Sequence, residues 1–260
     1  MKSTNELVAT MPVQLAGTNL AKRLSVLTYG IIAYGVGCFG LFWLILGAGA
    51  FAPVGLSQWQ AESVWLSLLV NMGLIGLFTL QHTVMARAWF KNWLTRFIPA
   101  ATERATFVLM SGLMCCAIMY GWQTVPGVVW QLHNQVAMCS VYTLYVTGTA
   151  YLLLATFVTN HFELMGLRQV YLYFRDIPYQ PLAFTNKFMY RYSRHPMMLG
   201  MLILLWAVPT MTATRLVLSV LFTVYTFIGI FFEERDLLKN FGDTYREYKQ
   251  KIAAFIPGIY

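Results

Sequence analysis

Three of the four histidines in this 260-residue chain stand beside other side chains able to move a proton or hold a charge. His161 lies in Thr159-Asn-His-Phe-Glu163, and His82 directly follows Gln81. His195 lies in Tyr190-Arg-Tyr-Ser-Arg-His-Pro196, and 38 positions later, beyond an almost wholly apolar stretch, comes Glu233-Glu-Arg-Asp236. A histidine near its ordinary pKa of ~6.5 suits general-base work at neutral pH. Pro196 suits the first turn of a helix, where its missing N–H is not needed. The free N–H groups and positive dipole end of that helix suit a carboxylate. Glu233 and Glu234, near the negative end of the next helix, require a cationic partner, either an arginine or a ligand. Folded back on each other, the two helices present an anion-binding start and a cation-binding finish side by side. A zwitterion carrying a sulfonium fits both, although spacing alone does not choose one.

The elements that position these residues are membrane helices. Hydrophobic residues make up 58% of the chain and charged residues 11%, against about a quarter charged in soluble proteins. Apolar stretches near the ~18-residue spanning threshold recur at roughly 24–50, 62–84, 105–122, 138–159, 197–211 and 215–232. The fold class expected is therefore an all-α integral membrane protein of about six transmembrane helices. The last two stretches are short and Pro209 interrupts the fifth, so five spans plus a re-entrant hairpin is the alternative. With the N-terminus in the cytoplasm and six alternating spans, every Lys and Arg except Arg215 falls on the inner side, as the positive-inside rule requires. Both termini are then cytoplasmic. Residues 1–21 lack a compact apolar core before a cleavage site, so no cleavable signal peptide is expected.

The net charge of +8 is spread over loops flanking the helices and suits an anionic inner leaflet. No basic stripe on a soluble domain exists to bind nucleic acid. Cys38, Cys115, Cys116 and Cys139 fall within or beside spans without Cys-x-x-Cys spacing, which points to packing rather than a disulfide framework or thiolate metal site. One domain covering 1–260 is expected, with 186–260 forming a hairpin and a cytoplasmic tail. Placed by depth, Gln81, His82, His161, Glu163, His195, Glu233 and Glu234 collect at one membrane face. Charges of both signs at a lipid boundary are costly unless paired or used.

Arg194-His-Pro196, the apolar hairpin, Glu233-Glu-Arg-Asp-Leu237, Phe241-Gly242 and the tyrosines 245 and 248 resemble the isoprenylcysteine carboxyl methyltransferase superfamily of membrane enzymes. Many relatives carry an aromatic residue two positions after the proline, where this chain has Met198. Gln81-His-Thr-Val-Met-Ala-Arg87, Thr159-Asn-His-Phe-Glu-Leu-Met-Gly-Leu-Arg-Gln169 and Arg194-His-Pro-Met-Met-Leu-Gly200 resemble the branch with NnrU-like proteins and bacterial methanethiol S-methyltransferases. The resemblance covers roughly 70–255. It implies methyl transfer from S-adenosylmethionine to a small apolar thiol, methanethiol, giving dimethyl sulfide and S-adenosylhomocysteine in a bacterial inner membrane.

On that reading, Tyr190, Arg191, Arg194, His195, Pro196, Gly200, Glu233, Glu234 and Tyr245 bind the cofactor at the cytoplasmic face, with Tyr192 and Tyr248 as further aromatic walls. A thiol reacts chiefly as thiolate, so a base is useful. His161 is the first candidate, oriented by Glu163 or Gln169, and His82 beside Gln81 is the second. Two alternatives stay open: a methyltransferase acting on a lipid, prenylcysteine or amine, and a haem-binding NnrU-like isomerase using histidine ligands.

Overall fold

The computed structural model describes residues 19–49, 51, 55–56, 58–182 and 185–256. Lys2 and the polar stretch before Asn19 lie outside them. Five helices in the described residues are long and apolar enough to cross a membrane. They are α1 (Leu20–Ala48), α2 (Val64–Ala86), α4 (Glu103–Gly121, led in by a short 3₁₀ turn), α5 (Gln135–Val158) and α9 (Ala213–Phe241). Short polar caps set where most of them begin. The side chains of Asn19, Ser63, Asn134 and Thr212 each accept a backbone N–H of the first turn, satisfying donors that no earlier residue can take. Large apolar side chains such as Leu69, Leu77, Val146 and Phe231 stay exposed along these helices, which suits contact with lipid rather than water. The chain is an all-α integral membrane protein.

The fifth expected span differs from the rest. Its helix, α8 (Pro196–Trp206), has 11 residues, roughly 16 Å at 1.5 Å per residue against a hydrocarbon core of about 30 Å. Pro209 denies the helix an N–H and biases its predecessor towards extended backbone. Beyond it the chain forms β2 (Thr210–Thr212), antiparallel to β1 (Val128–Gln131) with a bulge between Val128 and Trp130. This strand pair was not anticipated. It closes the end of the bundle opposite His195, where Leu132 N–H donates to Pro209 O and Trp130 Nε1 to Val208 O. Half helix and half extended chain thus connect one end of the bundle to the other.

α8 lies against α5. The approach depends on Gly148 and Gly200, since a Cβ at Gly200 would stand 2.6 Å from Leu152 N. α4 packs between α1 and α2, and α9 closes on α2. At the His195 end lie the short helices α3 (Ala88–Leu94), α6 (His161–Leu164), α7 (Leu167–Phe174) and α10 (Asp243–Lys251). α9 runs more than two turns past the apolar stretch, so Glu233 and Glu234 sit within its extension rather than on its last residues. Gly242, at φ +55, then turns the chain into α10. All ion pairs of the described residues fall at this end of the bundle.

Candidate functional site

The hairpin ends meet as the sequence requires, and a third segment joins them. Glu234, buried on α9, receives Arg194 Nε at 2.8 Å and His195 Nε2 at 3.1 Å on Oε1, while Lys249 Nζ lies 2.5 Å from Oε2. The Arg194 guanidinium also donates to the carbonyls of Lys249 and Ile252. The tail returns along this edge: Arg194 N–H donates to Ala253 O, and His195 N–H and Ser193 Oγ both donate to Ala254 O. A buried charge set of this kind holds only because every member is satisfied. The cation that Glu234 requires is therefore supplied by the protein itself, by Arg194 and by Lys249, which the sequence reading did not include.

Glu233 is different. Its side chain is 44% exposed, and its nearest ionic neighbour is His195 Nδ1 at 3.6 Å. It retains carboxylate capacity for a ligand. Close by, α8 starts at Pro196 with no side-chain cap, leaving first-turn N–H groups available to an anion. Tyr190 and Tyr245 are buried around this point. Burial and the neighbouring glutamates, Glu233 for Tyr190 and Glu234 for Tyr245, push both phenols up, and burial takes Tyr248 up to about 12. All three therefore remain neutral hydrogen-bonding groups. Tyr248 donates to Tyr190 O at 2.5 Å. Arg191 and Tyr192 are exposed, and Gly200 serves the α5–α8 contact.

His161 is held by hydroxyls. Its Nδ1 lies 2.9 Å from Thr156 Oγ1 and its Nε2 lies 3.0 Å from Tyr34 Oη. Its ring stacks on Phe157 at 4.5 Å. Burial lowers its pKa from the ordinary imidazole value, favouring the neutral ring. The sequence pairs Glu163 and Gln169 with this histidine, but the structure turns them elsewhere. Glu163 takes Arg168 at 2.7 Å and the Tyr179 hydroxyl at 2.5 Å, and Gln169 Nε2 donates to Glu163 O. Spacing brings Glu163 near in sequence, but one turn of α6 aims it at the loop after α7. Burial and Glu163 push Tyr179 up to about 12.

His82 pairs with a different helix. Its Nδ1 is 2.9 Å from Tyr225 Oη on α9, and its ring packs against Phe78 and Phe107. Among the described residues, Gln81 Nε2 reaches only Met85 Sδ at 3.1 Å, and its Oε1 is buried without a partner. Arg87, five residues after His82, ties that end of α2 to the hairpin by pairing with Asp236 at 3.3 Å. The partners missed from sequence (Tyr34, Thr156, Tyr225, Tyr179, Lys249) are common residue types brought in by tertiary contact. For the two tyrosines within spans, Tyr34 and Tyr225, the available signal is a phenol in an apolar helix that needs a partner.

The chain has relatives of known name. The chain is 39% identical over 235 residues to a methanethiol S-methyltransferase of Crocosphaera subtropica, covering 88% of this chain and 92% of that protein. It is 38% identical over 237 residues to a methanethiol S-methyltransferase of Mycobacterium tuberculosis, covering 91% and 97%. The chain belongs to the methanethiol S-methyltransferase family. It is an enzyme, a methyltransferase. The phospholipid methyltransferase family profile matches residues 123–244, which include the whole α8–α9 hairpin. Nurim of Bos taurus is 29% identical over 191 residues, covering 70% of this chain and 72% of that protein. No solved structure matches the chain.

Proposed function

We propose that this methyltransferase moves the methyl group of S-adenosylmethionine to the sulfur of methanethiol, releasing dimethyl sulfide and S-adenosylhomocysteine. The observation that carries this reading is the near full-length similarity to methanethiol S-methyltransferases. The donor set fits: Glu233 has exposed carboxylate oxygen for a cation, and the uncapped start of α8 offers N–H groups to a carboxylate. His195 and the neutral phenols of Tyr190 and Tyr245 line the same region, while Arg194, Glu234 and Lys249 hold its walls in place. The donor supplies an electrophilic methyl group on a cationic sulfur. Residues 186–260 act as the donor-binding unit within one domain, on the cytoplasmic side of a bacterial inner membrane.

The chain's own task is to orient and to move one proton. Alignment of donor and acceptor contributes on the order of 7–11 kcal/mol in well-ordered cases. His161, kept neutral by burial, accepts the thiol proton so that the sulfur attacks as thiolate. His82, tied to Tyr225, shapes the apolar wall on the α2 side. The acceptor and the methylated product are both small and apolar, so both can pass sideways through lipid. Purified protein given S-adenosylmethionine and methanethiol should release dimethyl sulfide into the headspace, unlike a boiled control. Intact donor binding with no dimethyl sulfide, or faster methylation of a phospholipid or an amine, would overturn the acceptor.

A further inference from the structure

The hydrogen bonds around His161 determine which of its nitrogens can take a proton. Thr156 Oγ1 lies 2.6 Å from Leu153 O. A carbonyl only accepts, so the Thr156 proton points there and its oxygen is left to accept. The neighbour at 2.9 Å, His161 Nδ1, must then carry the ring proton and donate it. That leaves the lone pair of the neutral ring on Nε2, facing Tyr34 Oη at 3.0 Å. Because the Nε2 lone pair only accepts, the Tyr34 O–H donates to it. The ring face is covered by Phe157, so the basic position of His161 is already occupied by a phenol on α1.

We infer that Tyr34 is a proton relay: the thiol meets the Tyr34 oxygen, and His161 receives the proton through it. The S–H bond breaks as its proton passes to Tyr34 Oη, while the proton already on that oxygen passes to Nε2. The sulfur lone pair forms the new C–S bond, and the bond from the methyl group to the donor sulfur breaks, leaving a neutral thioether. The imidazolium then loses its proton to water. Tyr34 ends the step as it began. The titratable groups facing this pair are few. Cys38 stands one turn along α1 from Tyr34. Glu163, from α6, has its carboxylate taken by Arg168 and Tyr179.

The inference rests on His161 being the base, and one set of variants separates the two claims. Tyr34→Phe keeps the ring and removes only the relaying oxygen. At neutral pH its kcat should fall about 10²- to 10⁴-fold, the range of a positioned acid–base group, with donor affinity by calorimetry unchanged. The loss should shrink as pH rises towards ionisation of the free thiol, since a substrate already present as thiolate needs no relay. His161→Ala should show the same loss and the same recovery. Thr156→Val, which removes the acceptor for Nδ1, should lower kcat in the same direction and recover likewise, a second reading if Tyr34→Phe folds poorly. Near wild-type turnover in Tyr34→Phe with His161→Ala inactive would overturn the relay and leave the base. Full activity in both would remove the base as well. A Tyr34→Phe loss that persists at high pH would make Tyr34 a packing residue and also overturn the relay.

Discussion

His195 and His161 lie at the same end of one bundle and are held in opposite ways. His195 is buried between two glutamates, its backbone bound to the returning tail, within a set of charges that Arg194, Glu234 and Lys249 complete. Among the described residues, the His161 ring has only hydroxyl partners and an aromatic platform. Fixed charges of both signs make a rigid grip for a charged ligand, and they also make a poor place for a group that must gain and lose a proton. Hydroxyls leave an imidazole neutral, orient it, and let its charge change without disrupting an ion-pair network. On the proposed function, the donor-holding and proton-moving tasks fall to separate elements, the α8–α9 hairpin with its tail, and the α5–α6 junction against α1.

The contrast is broken most severely at Glu234. Glu234→Ala would leave Arg194, at 9% side-chain exposure, without its partner, and removing one member of a buried pair costs about 3–5 kcal/mol. Thermal unfolding in detergent should show a large drop in midpoint, together with loss of donor binding. A midpoint close to wild type would mean that the charge set is not what docks the tail.

On the other side, His161→Ala should leave the midpoint nearly unchanged and lower turnover by about 10²- to 10⁴-fold. Its pH profile sharpens the same point. A base must be unprotonated, and burial lowers the His161 pKa, so its protonation begins at lower pH than for an ordinary imidazole. The acid limb of kcat/KM should therefore lie below about pH 6.5 and disappear in the variant. An acid limb above that value would assign proton transfer to another group.

Gly242 gives a smaller effect confined to the hairpin side. At φ +55 it turns α9 into α10, and Gly242→Ala should cost about 1–3 kcal/mol in backbone strain. Because α10 carries Lys249 to Glu234, donor affinity should weaken with the midpoint. An unchanged affinity would separate the tail from the donor site.

Much of the architecture is legible without coordinates because it depends on length and polarity. Runs of apolar residues mark the long helices, and the distribution of Arg and Lys marks the end where the ion pairs gather. Pro196 marks the start of α8, and His195 and Glu234 do meet across the hairpin. The parts not read depend on direction and on tertiary approach. Periodicity alone does not tell a full span from the half-helix that ends at Trp206 and continues as β2. Nor does composition show that α9 continues to Phe241, placing the glutamates inside a helix rather than at its end. Glu163 is adjacent to His161 in sequence, yet one turn of α6 points it at Arg168 and Tyr179. Lys249 in the tail has nothing local to mark it, and the phenol of Tyr34 in an apolar helix signals only that a partner is needed, since each meets its partner on a segment far away in the chain.

Donor binding, measured by calorimetry on His161→Ala and Glu233→Ala side by side, tests the division of labour most directly. Glu233→Ala should weaken S-adenosylmethionine binding by roughly 10- to 100-fold, the worth of one hydrogen bond to a charged group, while His161→Ala binds it as tightly as the unaltered enzyme but turns over about 10²- to 10⁴-fold more slowly at neutral pH. Weakened donor binding in His161→Ala, with Glu233→Ala unaffected, would contradict it.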